Sequence, residues 1–193
     1  MQGSTVTRAS GLSTEPLWLS PEEVVFLAWG LGCLRVVDAE LGIELDISEI
    51  WQRSCCAYSP RTMHADLGKA CLEQTQSNDR FALRYAAYHH LRSHRWVVRD
   101  GIKYGTDFVI YEQGPLFDHA THDIASGLYP ENVDWPGLLG IVRVCNQVRK
   151  TLRICYVGAP SGTRAGTDGP WCIGNYTVGE FVLRRWVPER DRV

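Results

Sequence analysis

The hydrophobic pattern of this 193-residue chain changes its period near residue 95. Before that point, Phe81, Tyr85, Tyr88 and Leu91 recur at the spacing of one face of an α-helix. After it, short apolar runs separated by turn residues begin at Trp96, which is typical of β-strands. Because one segment combines both periods, we expect a mixed α/β (α+β) core with helices on the faces of a sheet.

The predicted order of elements in this core is helix, three strands, helix, two strands. Strands are expected over residues 96–98, 104–112, 119–126, 151–157 and 175–187, and the second helix over 135–148. The segment from Gly158 to Trp171 is rich in Gly, Pro, Ser and Thr, so it predicts a flexible insertion. The last strand has the character of an exposed sheet edge, which makes it a candidate for pairing with a partner chain.

The residues before this core predict a small separate domain. Ser20-Pro21-Glu22-Glu23 combines a capping Ser, a Pro in the first turn and a Glu that can complete a capping box. A helix is therefore expected from there to about Val37. The first residues of the chain are polar and poor in apolar side chains, which favours disorder. The predicted organisation is a disordered tail (1–18), a small N-terminal domain (19–76) and a larger domain (77–193).

Composition and charge limit the kind of protein further. No apolar run approaches the roughly 18 residues that span a bilayer, so no membrane insertion is expected. The seven Cys include no CxxC pair, and Cys55, Cys56, His64 and Cys71 fit no zinc-finger spacing. Reduced thiols, and no metal or cofactor, are therefore expected. Residues 1–77 carry 5 Lys/Arg against 10 Asp/Glu, whereas residues 78–193 carry 15 against 12, and a mildly basic C-terminal part suits an anionic substrate.

Three side chains at the edges of predicted elements suggest a chemistry: Tyr104, His119 and Lys150. When RNA is cleaved by its own 2′-hydroxyl, one group accepts the 2′ proton, another protonates the departing 5′ oxygen, and a charge stabilises the transition state. Histidine suits proton donation near neutral pH, and lysine supplies a point charge for phosphate. Tyrosine is a poor base unless a neighbouring cation, such as a lysine, favours its ionised form.

Each of these residues also has an ordinary structural interpretation. A Tyr between Lys103 and Gly105 is most often packed on a sheet, and a lone His is most often a surface or capping side chain. A Lys at the start of a strand is usually solvated. The residue types alone therefore do not identify a nuclease site.

Several short motifs occur along the chain in an order that resembles a known family. They are Leu19-Ser20-Pro21-Glu22-Glu23, Tyr88-His89-His90-Leu91-Arg92-Ser93, Gly101-Ile102-Lys103-Tyr104-Gly105-Thr106-Asp107, Gly114-Pro115 with His119-Ala120, Arg143-Val144 with Lys150-Thr151-Leu152, and Arg185-Trp186-Val187-Pro188. Together they resemble the catalytic subunits of tRNA-splicing endonuclease (tRNA-intron lyase), in particular the Sen2 type, which cuts the 5′ splice site.

This resemblance implies a role for each of the three side chains. Tyr104 falls on the family's general base, His119 on its general acid, and Lys150 on the residue that stabilises the transition state. The implied reaction is metal-independent cleavage of intron-containing precursor tRNA, leaving 2′,3′-cyclic phosphate and 5′-hydroxyl ends. The implied fold is a small α/β domain followed by a restriction-endonuclease-like catalytic domain, here residues 77–193.

The resemblance also implies an RNA clamp, partners and a location. Arg143 and Trp186 fall where family members sandwich a bulged base, an arrangement that stacking of a base on Arg and indole planes favours. A Trp packed on the last strand is the alternative for Trp186. The family works as a heterotetramer with a second nuclease subunit and two structural subunits. We expect it in the nucleus or, alternatively, on the cytosolic face of the mitochondrial outer membrane.

Two other functions remain open from the sequence. One is a non-catalytic RNA-binding or scaffolding subunit of the same complex. The other is a nuclease that acts on a different RNA, since the substrate is selected by the assembled complex.

Overall fold

The computed structural model describes residues 4–6, 16–58, 79–115, 122–128, 135–160 and 169–183. The chain divides into two compact units. The first comprises residues 1–82 and 162–174, and the second comprises residues 83–161 and 175–193. The predicted domain boundary at 76/77 lies outside the described residues and stays a prediction.

The first unit begins with two short paired strands, β1 (Ser4–Val6) and β2 (Leu17–Leu19), which run antiparallel. They lie within or next to the stretch for which the sequence predicted a disordered tail. Their register pairs Ser4 with Leu19, Thr5 with Trp18 and Val6 with Leu17.

Two helices follow in the first unit. Helix α1 (Pro21–Val25) starts with the predicted capping box, in which Ser20 and Glu23 bond to each other's backbone N–H. Helix α2 (Ile47–Ala57) starts with a second capping box built on Asp46. Trp51 of α2 is fully buried and packs edge-to-face on Phe81, with ring centroids 5.2 Å apart. The buried carboxylate of Glu22 accepts a hydrogen bond from the Tyr58 hydroxyl at 2.7 Å.

The predicted extent of the first helix is wrong. The α-helical turns end at Val25, a π-helical turn covers Phe26–Gly30, and the chain then leaves the helix. Two glycines explain the early end. Gly30 favours helix termination, and Gly32 adopts a left-handed φ of +61°, which glycine accepts without steric cost.

The second unit is built on a five-stranded mixed sheet in the order β3-β4-β5-β6-β7. The strands are β3 (Val97–Asp100), β4 (Phe108–Tyr111), β5 (His122–Leu128), β6 (Thr151–Gly158) and β7 (Thr177–Leu183). Among these five strands, β5 and β6 run parallel, and the other neighbours are antiparallel. Parallel pairing needs a crossover, and helix α4 (Trp135–Gln147) lies in the chain between these two strands.

Helix α3 (Asp79–Ser93) supplies large aromatic side chains to the core. Tyr85 and Leu91 are fully buried, and Tyr88 packs on Phe108 of β4 with ring centroids 5.8 Å apart. The central strands are buried too, as Ile110 and Leu152 show. The stripe that predicted this helix is therefore its buried face.

The predicted mixed α/β architecture and its element order are confirmed. One strand differs: residues 104–107 do not belong to β4, because Ile102–Tyr104 form a 3₁₀ turn and Gly105 adopts a left-handed φ of +70°. Residues 119–121 and 161–168 lie outside the described residues, so the early start of β5 and most of the insertion are not tested. The end of the predicted insertion forms a 3₁₀ helix, Pro170–Asn175.

The sequence also predicts reduced thiols and no membrane insertion. Among the described residues, five cysteines are free thiols: Cys33, Cys55, Cys145, Cys155 and Cys172. Cys56 is disulfide-bonded, so the expectation of reduced thiols fails at this residue. The cellular compartment of a chain indicates its usual redox state, but it does not identify which two cysteines lie close enough to form a disulfide. In the described part of the chain, no helix combines the length and the apolar character that crossing a bilayer requires.

Candidate active site

Tyr104 lies in a tight turn between β3 and β4. The Gly101 carbonyl accepts the N–H of Tyr104 at 2.8 Å and that of Thr106 at 3.3 Å, while Gly101 N–H donates to Asp107 O at 3.2 Å. The Asp100 carboxylate accepts the N–H of Ile102 at 2.8 Å and so caps the first residue of the turn. These bonds fix the backbone on both sides of Tyr104.

Gly101 is at the crowded centre of this turn. A Cβ atom there would lie 2.4 Å from Thr106 Oγ1, 2.8 Å from Thr106 O and 2.9 Å from the Phe108 carbonyl carbon. Only glycine fits without moving the backbone, since real Cβ contacts are longer. The glycine is therefore required by packing at this position.

Lys150 is placed by the way helix α4 ends. The Lys150 N–H donates to Cys145 O at 2.9 Å and the Arg149 N–H to Asn146 O at 3.2 Å, while Arg149 takes a left-handed φ of 56°. This pair of bonds is a Schellman motif, which ends a helix and turns the chain sharply. Strand β6 starts at the next residue, so Lys150 is held at the joint between helix and strand.

The structure brings Tyr104 and Lys150 together. Lys150 Nζ lies 4.7 Å from the centroid of the Tyr104 ring, and both residues are half-buried. At this separation the ammonium is attracted by the electrons of the ring face. A cation and a hydroxyl-bearing ring thus meet at the surface of the second unit.

His119 lies outside the described residues. The register of the neighbouring strand is known, however: His122, the first residue of β5, pairs with Thr151, the residue after Lys150. The chain therefore enters β5 beside the point where it enters β6. His119 precedes His122 by three residues in the sequence.

A second charged network lies across β6 and β7. Glu180 accepts a hydrogen bond from Arg153 Nη1 at 2.5 Å, and His90 Nε2 lies 2.7 Å from its other oxygen. Burial raises the pKa of Glu180, but Arg153 and His90 lower it by more, so the net pKa is below its ordinary value. Burial, together with the charge of Glu180, raises the pKa of the Cys155 thiol to about 12. The thiol is therefore protonated and unreactive at neutral pH.

Within the described ranges, no three His, Cys, Asp or Glu side chains are grouped closely enough to hold a metal ion. The described part of the site offers instead a phenol and the ammonium of Lys150, and such a cation suits an anion such as a phosphate.

Comparison with known proteins decides the family. Residues 81–163 match the family described as tRNA intron endonuclease, catalytic C-terminal domain. The Arabidopsis thaliana tRNA-splicing endonuclease subunit Sen2-1 is 30% identical over 94% of this chain and 70% of its own length. The chain belongs to the tRNA intron endonuclease family. The matched domain contains β3 to β6 and therefore both Tyr104 and Lys150.

Other relatives of this family carry the same subunit name. The Rattus norvegicus tRNA-splicing endonuclease subunit Sen2 is 34% identical over 92% of this chain, and the Saccharomyces cerevisiae subunit SEN2 is 36% identical over 58% of it. The chain spans 36% of the length of the rat protein and 31% of that of the yeast protein. The resemblance to Sen2-type subunits that the motifs indicated is confirmed.

The five predicted site residues have different outcomes. Tyr104 and Lys150 lie together, Arg143 is exposed on α4, and His119 and Trp186 lie outside the described residues. The contact between the first two supports their pairing in one site. The functional roles of all five remain predictions.

Sequence reasoning gave no role to two residues that support the site. Arg84 on α3 forms an ion pair with Asp107, which closes the turn that carries Tyr104. Asp107 occurs in the family motif, but Arg84 is remote from it in the sequence. No spacing rule links a helix residue to a distant turn, so only the fold reveals the pair.

Proposed function

We propose that this chain is the nuclease subunit that cuts the 5′ splice site of intron-containing precursor tRNA. The observation that carries the proposal is the contact between Lys150 and Tyr104, 4.7 Å from Nζ to the ring centroid, inside the family's catalytic domain. The relatives named as Sen2 subunits support the choice of tRNA splicing and of this subunit type.

The proposed reaction is attack of the 2′-hydroxyl on the adjacent phosphorus. The Tyr104 phenolate oxygen accepts the 2′ proton, the bond from phosphorus to the 5′ oxygen breaks, and His119 donates a proton to that oxygen. The products are a 2′,3′-cyclic phosphate and a 5′-hydroxyl. Lys150 stabilises the charge on the non-bridging phosphate oxygens. No step in this scheme requires a metal ion.

The position of His119 in this scheme depends on strand register. His122 pairs with Thr151, next to Lys150, so a loop that leads into β5 reaches the same end of the sheet as Lys150. A proton donor there would face the leaving oxygen while Tyr104 faces the nucleophile. This opposed placement is what in-line displacement requires of an acid and a base.

RNA binding is proposed for Arg143 and Trp186. Arg143 is exposed on α4, the helix that also ends at the Lys150 joint. A guanidinium there can stack on a base of the substrate, and an indole from residue 186 would complete the clamp.

The chain is proposed to act in a heterotetramer with a second nuclease subunit and two structural subunits. The relatives are named as subunits, which supports a complex. Among the described strands, β7 pairs with β6 alone, and Phe181 and Val182 on it are exposed. Such an edge suits pairing with another subunit. The proposed location is the nucleus, with the mitochondrial surface as the alternative.

The test is cleavage of an intron-containing precursor tRNA in EDTA by the complex reconstituted with the full chain. The wild type is compared with His119→Ala and with His94→Ala, which removes an exposed histidine just after the end of α3. We expect 5′ cutting to persist in EDTA, to yield cyclic phosphate ends, and to be lost with His119→Ala only. Equal 5′ cutting by all three complexes would assign the chain a scaffolding role instead.

A further inference from the structure

We propose that Arg84 is a positioning residue that acts through Asp107 to hold Tyr104 against Lys150. The inference rests on the proposed function of the Tyr104–Lys150 site. It assigns a catalytic consequence to a helix residue that itself lies beneath the turn and is not expected to touch the RNA.

Arg84 forms two hydrogen bonds with Asp107, the residue at the end of the turn. Its Nη1 donates to Asp107 Oδ1 at 2.5 Å, and its Nη2 donates to the Asp107 backbone carbonyl at 3.0 Å. That same carbonyl accepts the N–H of Gly101 at 3.2 Å. One oxygen thus joins the first and last residues of the turn to a fixed helix.

The turn is closely packed and hydrogen-bonded internally, so a displacement of one of its residues moves the others. Thr106 is buried, and its hydroxyl donates to Gly101 O at 3.3 Å. The same Gly101 carbonyl accepts the Tyr104 N–H, and a Cβ at Gly101 would collide with Thr106 and Phe108. If the base of the turn at Asp107 moves, Gly101 and then the Tyr104 backbone must move with it.

Arginine is suited to this place in three ways. Its side chain is only 17% exposed, its Cζ lies 4.3 Å from the centroid of the Phe108 ring, and its two nitrogens reach two different oxygens of Asp107. A lysine has one nitrogen and no planar face, so it cannot reproduce the two hydrogen bonds and the stacking together. The contact is therefore specific for a guanidinium.

The sheet provides a matched control pair. Arg153 also donates to a carboxylate at 2.5 Å, that of Glu180, and its Cζ lies 5.4 Å from the Trp96 ring centroid. Both arginines are similarly buried, with 17% and 16% of the side chain exposed. Glu180 belongs to β7, at the opposite end of the sheet order from the β3–β4 turn. Glu180→Gln therefore removes an equivalent ion pair without touching that turn.

The experiment measures single-turnover 5′ cleavage of precursor tRNA by the full reconstituted complex, with the 3′ cut as an internal control for assembly. The variants are Arg84→Met, Glu180→Gln, Tyr104→Phe and the double variant Arg84→Met with Tyr104→Phe. Because misplacing a catalytic group by about 1 Å can cost about 100-fold in rate, we expect Arg84→Met to slow 5′ cutting by about 10- to 100-fold. The RNA affinity and the 3′ cleavage rate of the Arg84→Met complex should stay within about twofold of wild type. The 5′ cleavage rate of the Glu180→Gln complex should do the same.

The double variant separates positioning from a general loss of structure. If Arg84 acts through Tyr104, adding Arg84→Met to Tyr104→Phe changes the residual rate no further. The proposal is overturned if Arg84→Met slows 5′ cleavage as much in the Tyr104→Phe background as in the wild type. It is also overturned if Arg84→Met alone leaves the wild-type rate. Where Arg84→Met prevents assembly, Asp107→Asn replaces it with the same expected pattern. A Tyr104→Phe complex that cuts the 5′ site at the wild-type rate instead refutes the proposed function itself, and the positioning role with it.

Discussion

Lys150 Nζ lies 4.7 Å from the centroid of the Tyr104 ring, although the two residues belong to different turns of the chain. One is held by the closed turn between β3 and β4, and the other by the Schellman motif at the end of α4. Neither turn is near the other in sequence, so the contact is a product of the sheet. It is the geometric basis of the proposed nuclease site.

Lys150→Ala is predicted to slow 5′ cleavage strongly at saturating RNA. Removing one preorganised group that stabilises transition-state charge typically costs about 100- to 1,000-fold in rate. The matched control is Lys103→Ala, which removes an exposed lysine adjacent to Tyr104. Single-turnover rates of the reconstituted complexes test the prediction. Similar losses from both substitutions would mean that only the overall positive charge matters.

Gly101→Ala is predicted to impair both folding of the turn and cleavage. The added methyl group would lie within 3.0 Å of three atoms, two of them backbone atoms. Overpacking of this kind typically costs about 1–3 kcal/mol. Thermal unfolding of the assembled complex and the 5′ cleavage rate are the measurements.

Gly105→Ala is the matched control for that change. Gly105 has a left-handed φ of +70°, but no atom of the described residues lies within 4 Å of the position that an added methyl group would take. Only the backbone cost of about 1 kcal/mol therefore applies. We expect a smaller loss of stability than with Gly101→Ala. The reverse order would contradict the crowding described at Gly101.

The order of helices and strands could be predicted from the sequence, because it depends on local hydrophobic periodicity. The stripe from Phe81 to Leu91 and the alternating runs after it depend on local periodicity, so the element order was predicted correctly. The placement of Tyr104 at the start of a strand was predicted incorrectly. Gly105 adopts a left-handed conformation there, and residues 102–104 form a 3₁₀ turn instead. The predicted end of the first helix, at about Val37, was wrong for a similar reason, because Gly32 also adopts a left-handed conformation.

The residues of the site could be predicted only where they belong to a recognisable sequence motif. Tyr104 and Lys150 were found through short sequence patterns, whereas the Arg84–Asp107 pair depends on how α3 packs on β4. The disulfide at Cys56 was missed because spacing alone does not specify which thiols come close. Long-range contacts such as these depend on tertiary packing, which local patterns do not encode.

Glu180 is predicted to make stability depend on pH in the acid range. Its folded-state pKa lies below the ordinary value of 4.5, because Arg153 and His90 together outweigh burial. The ion pair therefore stabilises the fold above about pH 4.5, and this contribution is lost as the pH falls below that value. At neutral pH, Glu180→Gln should reduce stability by about 1.5–3 kcal/mol, the range for hydrogen bonds to a charged group.

Thermal unfolding at a series of pH values checks this effect. The gap in Tm between wild type and Glu180→Gln should be widest above pH 4.5 and narrow on acidification. Glu44→Gln is the control, because Glu44 pairs with Arg35 in a solvent-exposed salt bridge that water screens. A gap that widens at low pH would contradict the prediction.

Arg143→Ala is predicted to weaken RNA binding more than it slows the bound reaction. Stacking on a base is typically worth about 1–3 kcal/mol, which corresponds to about 5- to 150-fold in Kd. Asn146→Ala, on the same helix and also exposed, is the control. Fluorescence binding of precursor tRNA at two salt concentrations gives the measurement. Unchanged affinity would remove Arg143 from the interface.

The most direct test of the proposed nuclease site is the 5′ cleavage rate of the full complex with Tyr104→Phe in this chain. The substitution removes one hydroxyl and leaves the ring that Lys150 contacts, so the packing of the site is retained. We expect 5′ cutting of precursor tRNA to fall by about 100-fold or more while 3′ cutting and RNA binding are unchanged. A wild-type 5′ rate would show that the Tyr104–Lys150 contact is not part of the active site.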